Sequence, residues 1–182
     1  MRGPTIIALS GRRIDAPGSA PPRFPLEMVG IVSERIRQVL EAERAAVLVS
    51  SAACGADLLA QSEAGKLGLL RRVVLPFDRE RFLKSSVIDR PGDWAALYNQ
   101  LLDAVSAAGD LVALNGIGEE AAYVALIGAI LDQAEALALS RRQPVTAVLV
   151  WDGSSPDSQD FTAAFGEEAK RRGIPVVEVS TL

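Results

Sequence analysis

The sequence contains no histidine and only one cysteine, Cys54, among its 182 residues. Without histidine the chain lacks the usual metal ligand and the usual general base at neutral pH. Zinc catalysis and Ser-His-Asp chemistry are therefore excluded, and one cysteine cannot form an internal disulfide. We expect neither a metal site nor a bound cofactor.

Long apolar runs and an excess of positive charge are missing as well. No apolar stretch reaches the roughly 18 residues of a membrane span, and the N-terminus lacks the charged-then-apolar pattern of a signal peptide. The net charge is −4, which argues against binding to nucleic acid or to an anionic membrane surface. These features predict a cytoplasmic protein without a membrane segment.

Short apolar runs alternate with helical patterns along the whole chain, which predicts a single domain over residues 1–182. The runs are uniformly apolar, as expected for strands that are covered on both faces. We therefore predict an α/β fold with a doubly wound, mostly parallel sheet of about six strands and helices on both faces. The predicted strands are Thr5–Ser10, Val47–Ser50, Arg72–Leu75, Leu111–Leu114, Val145–Trp151 and Pro175–Val179.

Helical periodicity links these strands, with a single helical turn near Arg79–Lys84 and a long helix from Glu119 to Leu139. Asp93 is a candidate N-cap for the helix that begins at Trp94. The long helix is apolar around nearly its whole circumference, because residues 121–131 include no charge. A surface helix normally keeps a polar outer face. Either the helix is central and covered by neighbouring elements, or its outer face meets a second copy of the chain. We predict the second, a homodimer through this helix with Leu126 and Ile130 in the interface.

Small residues follow the second predicted strand and lead into a helix. Small side chains let the backbone approach a ligand closely, and N–H groups at a helix N-terminus favour negative charge. The predicted ligand-binding residues here are Ala53, Cys54, Gly55, Ala56 and Asp57, with Gly55 opening a cradle for phosphate. The alternative is a tight turn that needs small residues for packing, with Cys54 as a packed side chain and Asp57 as a partner of the helix dipole.

Two further loops leave predicted strand ends. The first, from Gly11 to Pro25, is rich in proline and carries arginines that suit bidentate phosphate contacts. The other, between Trp151 and Thr162, is rich in hydroxyls and carboxylates, although capping of the next helix by Asp160 or Thr162 would explain most of its composition. From these loops we predict six ligand-binding residues, namely Ser10, Gly11, Arg12, Asp152, Gly153 and Thr162.

The three loops resemble motifs of the SLOG superfamily, the Rossmann-like group that includes the DNA-processing protein A family and the Lonely-Guy phosphoribohydrolases. YpsA-like nucleotide-sensor domains are the most similar members. They show a strand followed by G-[SH]-R-x-x-D, a small-residue loop ending in G-A-D, and a D-G-x-S-x-G-T stretch. The matching residues are Ser10-Gly11-Arg12-Arg13-Ile14-Asp15, Ala53-Cys54-Gly55-Ala56-Asp57, and Asp152-Gly153-Ser154-Ser155 with Phe161-Thr162 further on.

The resemblance covers nearly the whole chain and implies binding of a nucleotide or nucleotide-derived signal. It also implies a role in signalling or defence beside an effector protein encoded nearby. Phosphoribohydrolase members carry P-G-G-x-G-T-x-x-E, and this chain has neither the paired glycines nor the glutamate. We therefore expect no catalytic residue. The alternatives are a nucleoside or nucleotide N-glycosidase using Asp15, Asp57 or Asp152, and an interaction module with a vestigial pocket.

Overall fold

Six parallel strands form one sheet in the computed structural model of the chain, which describes residues 3–182. Their order across the sheet is β4-β3-β2-β1-β5-β6. Every predicted strand is present, and no strand end differs from its prediction by more than two residues. The predicted fold class is confirmed. The strands are β1 (Thr5–Gly11), β2 (Ala45–Ser50), β3 (Leu70–Leu75), β4 (Leu111–Ala113), β5 (Val145–Trp151) and β6 (Val176–Ser180).

Helices cover both faces of this sheet. The core that includes α1, α2, α3 and α4 lies on one face, and the core that includes α5 and α6 lies on the other. Side chains alternate between the faces, so Ile7 and Leu9 of β1 enter the first core while Ile6 and Ala8 enter the second. The helices are α1 (Val29–Ala42), α2 (Ala56–Lys66), α3 (Arg79–Ser86), α4 (Ala95–Ala107), α5 (Glu119–Arg141) and α6 (Phe161–Arg171).

The strand order reverses at β1. From β1 the chain adds β2, β3 and β4 successively on one side, and after α5 it returns to place β5 on the other side of β1. Connections leaving the carboxyl ends of β1 and β5 therefore run in opposite directions and leave a crevice between them. Doubly wound sheets bind ligands at such a crevice.

Two local predictions need correction. Asp93 does not cap α4, because Trp94 occupies the N-cap position and makes no side-chain hydrogen bond there. The segment predicted as one helical turn is the eight-residue helix α3. Its N-cap is Asp78, whose carboxylate accepts a hydrogen bond of 2.9 Å from the Arg81 N–H. This capping supports a helix where apolar periodicity alone is weak.

The middle of the long helix α5 turns two large apolar side chains, Leu126 and Ile130, inward. Leu126 is 7% exposed and Ile130 is 3% exposed, and both pack in the core on the sheet. Their predicted place in a dimer interface is therefore wrong. The outward residues near the start of α5 include Ala121, Val124 and Ala125, with Val124 57% exposed. By length and composition alone α5 is also apolar enough to cross a membrane, a property it shares with helices buried in soluble cores.

Candidate functional site

A cavity of about 720 Å³ lies at the carboxyl ends of β1 and β2, beside the loop that follows β5. The chain from β1 to α1, here called the first loop, forms one wall. Residues 51–57, the second loop, form the buried end, and residues 152–160, the third loop, form the opposite wall. Side chains of α3, α5 and α6 and Arg90 also line the cavity. The cavity thus occupies the crevice expected from the strand order.

Six of the predicted ligand-binding residues line this cavity and five do not. Those that line it are Ser10, Gly11, Arg12, Ala53, Asp57 and Thr162.

 
The residues outside the lining are Cys54, Gly55, Ala56, Asp152 and Gly153. Of the small residues predicted around the start of α2, Ala53 alone lines the cavity among the described residues.

Gly55 lets the first loop pack against the start of α2. Its φ of +94° lies in the region that favours glycine, and a Cβ placed there would lie 2.7 Å from the Arg12 carbonyl oxygen and 3.0 Å from the Ile14 nitrogen. The neighbouring N–H of Ala56 donates to that Arg12 carbonyl at 3.1 Å, and the Cys54 N–H donates to the Ser86 carbonyl at 3.0 Å. Protein carbonyls thus bind two of the amides predicted to cradle phosphate, and close packing is what requires a glycine here.

Cys54 is a packed side chain, as one of the two interpretations of the sequence predicted. It is fully buried. Burial raises the pKa of its thiol to about 11, so the sulfur is protonated at neutral pH. A neutral, inaccessible thiol is a poor nucleophile.

Arg12 is held by the third loop. Its Nε donates to Asp152 Oδ1 at 2.9 Å, its Nη1 to Asp160 Oδ1 at 2.6 Å, and one further N–H to the Ser154 carbonyl at 2.6 Å. The guanidinium also lies 5.5 Å from the centre of the Trp151 ring, within the range of a cation–π contact. The phosphate contact predicted for Arg12 therefore competes with carboxylates that the guanidinium already binds.

Arg23 binds the same acceptors from further along the first loop. Its donors reach Asp152 Oδ2 at 3.2 Å, Asp160 Oδ2 at 3.0 Å and the Ser154 carbonyl at 2.6 Å. Each aspartate therefore joins both arginines through its two oxygens. We call Arg12, Arg23, Asp152 and Asp160 the ion-pair cluster, and it fastens the first loop to the third.

Asp160 also caps α6, since its Oδ1 accepts the Ala163 N–H at 3.0 Å. Burial disfavours the charge on this carboxyl. Hydrogen bonds from Arg12, the Ala163 N–H and Arg23 outweigh that effect and lower the pKa of Asp160 to about 2. The carboxylate therefore stays ionised at physiological pH, and the predicted capping role of Asp160 is confirmed.

Asp57 presents a different kind of carboxyl to the cavity. The residue is 7% exposed, and its Oδ2 accepts the Ala53 N–H at 3.2 Å. Burial, opposed by the Ala53 N–H and the charge of Arg13, raises the pKa of Asp57 to about 7. The carboxyl can therefore gain or lose a proton near neutral pH, which is common for groups in functional sites.

Ser51 was not among the predicted ligand-binding residues, although it is the first residue beyond β2. It is 3% exposed and lines the cavity. Within residues 3–182, no group hydrogen-bonds to its hydroxyl oxygen. Buried hydroxyls are nearly always paired, so this one is available to a bound molecule.

Aromatic side chains on α5 and α6 form an apolar part of the lining. The rings of Tyr123 and Phe161 have centroids 5.6 Å apart, and the Tyr123 hydroxyl forms a short hydrogen bond with Ser86. Phe165, Leu126 and Ile130 also line the cavity. Sequence reasoning named none of these residues as ligand-binding, because helical periodicity cannot distinguish a core face from the wall of a cavity.

Two more arginines, Arg13 and Arg90, line the cavity and are also engaged. Arg13 donates to Asp89 Oδ2 at 2.7 Å and to the Ser85 carbonyl at 3.2 Å. Arg90 pairs with the same Asp89 at 3.4 Å. In the described part of the chain, no group of three or more histidine, cysteine, aspartate or glutamate residues is placed to hold a metal ion.

Comparison with known proteins gives likenesses of fold. No protein-family model matches the chain, and no curated protein does. Among solved structures, DNA processing protein A from Streptococcus pneumoniae is 16% identical with a TM-score of 0.43, over 97% of this chain and 59% of that one. The chain thus spans less than two thirds of that protein's length.

Two other similar structures concern the molybdenum cofactor. The Moco carrier protein from Chlamydomonas reinhardtii is 19% identical with a TM-score of 0.36, over 98% of this chain and 91% of that one. The molybdenum cofactor binding protein from Rippkaea orientalis is 15% identical with a TM-score of 0.33, over 98% and 91% of the two chains.

The ionisation of Asp57 predicts a pH-dependent stability difference between the protein and its Asp57→Asn variant. A raised pKa means that the folded state holds a proton which the unfolded state has lost, so Asp57 lowers stability as pH rises from about 4 to about 7. Asparagine carries no such charge. We therefore expect the variant to gain stability relative to the unmodified protein between pH 4 and pH 7, measured by urea unfolding.

The control is Asp93→Asn, at an exposed aspartate. Its stability difference from the unmodified protein should stay nearly constant over the same pH range. A constant difference for Asp57→Asn as well would contradict the raised pKa of Asp57.

Proposed function

We propose that this chain binds a nucleotide-derived small molecule in the cavity and acts as a sensor of that molecule. The observation that carries the proposal is the position of the cavity, at the carboxyl ends of the strands where the strand order reverses. Its volume of about 720 Å³ falls within the range of small-molecule sites, about 300–1,000 Å³.

The lining suits a molecule with one flat apolar part and one polar part. Tyr123 and Phe161 offer aromatic faces on which a heterocyclic base can stack. Ser51 and Asp57 offer hydrogen-bonding groups at the buried end. A nucleoside has both parts, which is why we favour this class of ligand over a purely apolar one.

The finer parts of the proposal come from the sequence resemblance. It implies a nucleotide-derived signal, a role in signalling or defence, and an effector protein encoded nearby. We propose that the chain works in the cytoplasm in this way and binds neither nucleic acid nor a membrane.

A nucleoside N-glycosidase is the second candidate function, and Asp57 favours it. Cleavage of a glycosidic bond needs a carboxyl group beside the sugar, and a pKa near neutrality suits proton transfer. The other two candidate carboxylates are engaged, because Asp15 accepts the N–H groups of Arg23 and Phe24 and Asp152 belongs to the ion-pair cluster. We favour binding without turnover because the phosphoribohydrolase glutamate is missing and the chain has no histidine.

We also propose that the chain forms a homodimer, with the exposed start of α5 in the interface. Ala121, Val124 and Ala125 are exposed there, and small or apolar side chains allow two helices to pack closely. Two-fold dimers are the commonest assemblies of soluble proteins.

If the cavity binds nucleotides, adding them should raise the melting temperature of the protein. The Ile127→Trp variant should not show this rise. A ligand at 100 times its dissociation constant adds about 2.7 kcal/mol of stability. Ile127 lines the cavity, so tryptophan there fills the space that the ligand needs. A panel of nucleotides, dinucleotides and cyclic nucleotides would be screened by thermal shift.

Leu139→Trp is the matched control, since Leu139 lies on the same helix and is 84% exposed. It should keep the full shift. No shift with any member of the panel would contradict the binding proposal and favour an interaction module with a vestigial pocket.

Absence of turnover predicts that no free base forms when the protein is incubated with nucleoside monophosphates. Chromatography of the mixture would measure released base against a protein-free blank. Rapid release of at least one equivalent of base that disappears in Asp57→Asn would establish the glycosidase function instead.

Dimer formation predicts a molar mass of two chains by light scattering across a dilution series. Val124→Glu should shift the protein to one chain, because a charge would be buried in the interface. Leu139→Glu, an exposed position near the far end of α5, should leave the dimer intact. A single chain at every concentration would refute the dimer.

A further inference from the structure

We propose that Ser51 and Asp57 form a subsite for the hydroxyl groups of a sugar, so that the ligand enters the cavity with a ribose-like diol at the buried end. The inference rests on the proposed binding function and specifies which part of the ligand the protein recognises. Any phosphate group would then lie toward the open side of the cavity.

The first support is the unsatisfied hydroxyl of Ser51. It is buried, lines the cavity, and has no hydrogen-bonding partner in the part of the chain that the structure describes. An unpaired buried hydroxyl is costly. A hydroxyl can donate one hydrogen bond and accept others, so it suits a ligand hydroxyl, which does the same.

The second support is the free oxygen of Asp57. Oδ2 accepts the Ala53 N–H at 3.2 Å, and among residues 3–182 no donor reaches Oδ1. Asp57 and Ser51 belong to the same loop and line the same cavity. Each can therefore bind a hydroxyl group of one ligand.

The third support is the absence of a cation available to a phosphate at this end of the cavity. All four arginines of the lining are engaged with acceptors of the described chain, Arg12 and Arg23 in the ion-pair cluster and Arg13 and Arg90 with Asp89. A phosphate beside Asp57 would bring two buried anions together, which is strongly unfavourable. Neutral hydroxyls avoid this repulsion.

Protein groups also occupy an N–H at the start of each of two helices beside the cavity, α2 and α6. The Ala56 N–H at the start of α2 donates to Arg12, and the Ala163 N–H in α6 donates to Asp160. The pKa of Asp57, about 7, also suits an uncharged ligand group, because the carboxyl can then accept a hydrogen bond from a hydroxyl or donate one to it. The buried end is thus equipped for an uncharged polar group.

The test is isothermal titration calorimetry with AMP, GMP, CMP and UMP and with their 2′,3′-dideoxy counterparts. Loss of hydrogen bonds to a charged group and a hydroxyl should weaken binding of the dideoxy compounds roughly ten- to hundredfold. In Ser51→Ala and in Asp57→Asn, the preference for the ribose form should fall below about threefold.

Two control variants lie in the same cavity. Ser85→Ala removes a hydroxyl that lines the cavity and is hydrogen-bonded to Ser86, and Asp157→Asn removes a carboxylate of the third loop. Both should keep the full preference for the ribose form. Circular dichroism would check that each variant is folded. If Asp57→Asn does not fold, the measurement on Ser51→Ala decides whether the subsite exists.

Each outcome has a distinct meaning. Equal affinity for ribose and dideoxy forms would overturn the sugar subsite while leaving the binding function intact. A preference that persists in both Ser51→Ala and Asp57→Asn would overturn the assignment to these residues. If none of these nucleotides or their dideoxy counterparts bound, both the proposed function and this subsite would be overturned.

Discussion

The ion-pair cluster is the interaction on which the candidate site depends. The strand order reverses between β1 and β5, so the loops leaving these strands run apart and leave a gap. Two arginines from the first loop and two aspartates at the ends of the third bridge this gap. Their charges balance, and each carboxylate binds both guanidinium groups. In buried clusters of this kind, loss of one member leaves a charge unpaired and costs about 3–5 kcal/mol.

This cluster also decides which side chains remain for a ligand. Arginines are the obvious phosphate contacts in the sequence, yet those that line the cavity bind carboxylates or carbonyls of the protein. Two groups that keep hydrogen-bonding capacity at the buried end are less conspicuous, the hydroxyl of Ser51 and the carboxyl of Asp57. Aromatic rings from α5 and α6 add a flat apolar wall. The chemistry of the cavity is therefore closer to that of a nucleoside than to that of a free phosphate.

Local sequence patterns predict the positions of the strands well, but they predict the buried face of α5 and the capping of helices less well. Buried parallel strands are short apolar runs, so each could be located to within two residues. In α5 the pattern fails, because apolar residues surround the helix and no periodicity distinguishes the side that packs on the sheet. Leu126 and Ile130 therefore seemed exposed, although they are buried. Capping is equally ambiguous, since Asp93 and Asp160 look alike in sequence and only Asp160 caps a helix.

The sequence by itself determined the fold class, the strands and the three loops that meet at the cavity, because apolar periodicity and turn residues act over short distances. Tertiary structure decided the pairing within those loops. Arg12 meets Asp152 and Asp160 across 140 and 148 positions of the chain, and that pairing follows from strand order, which no local pattern encodes. The same holds for Gly55, whose small size suited either a ligand or a neighbouring backbone. Only the approach of the first loop shows that the backbone takes that space.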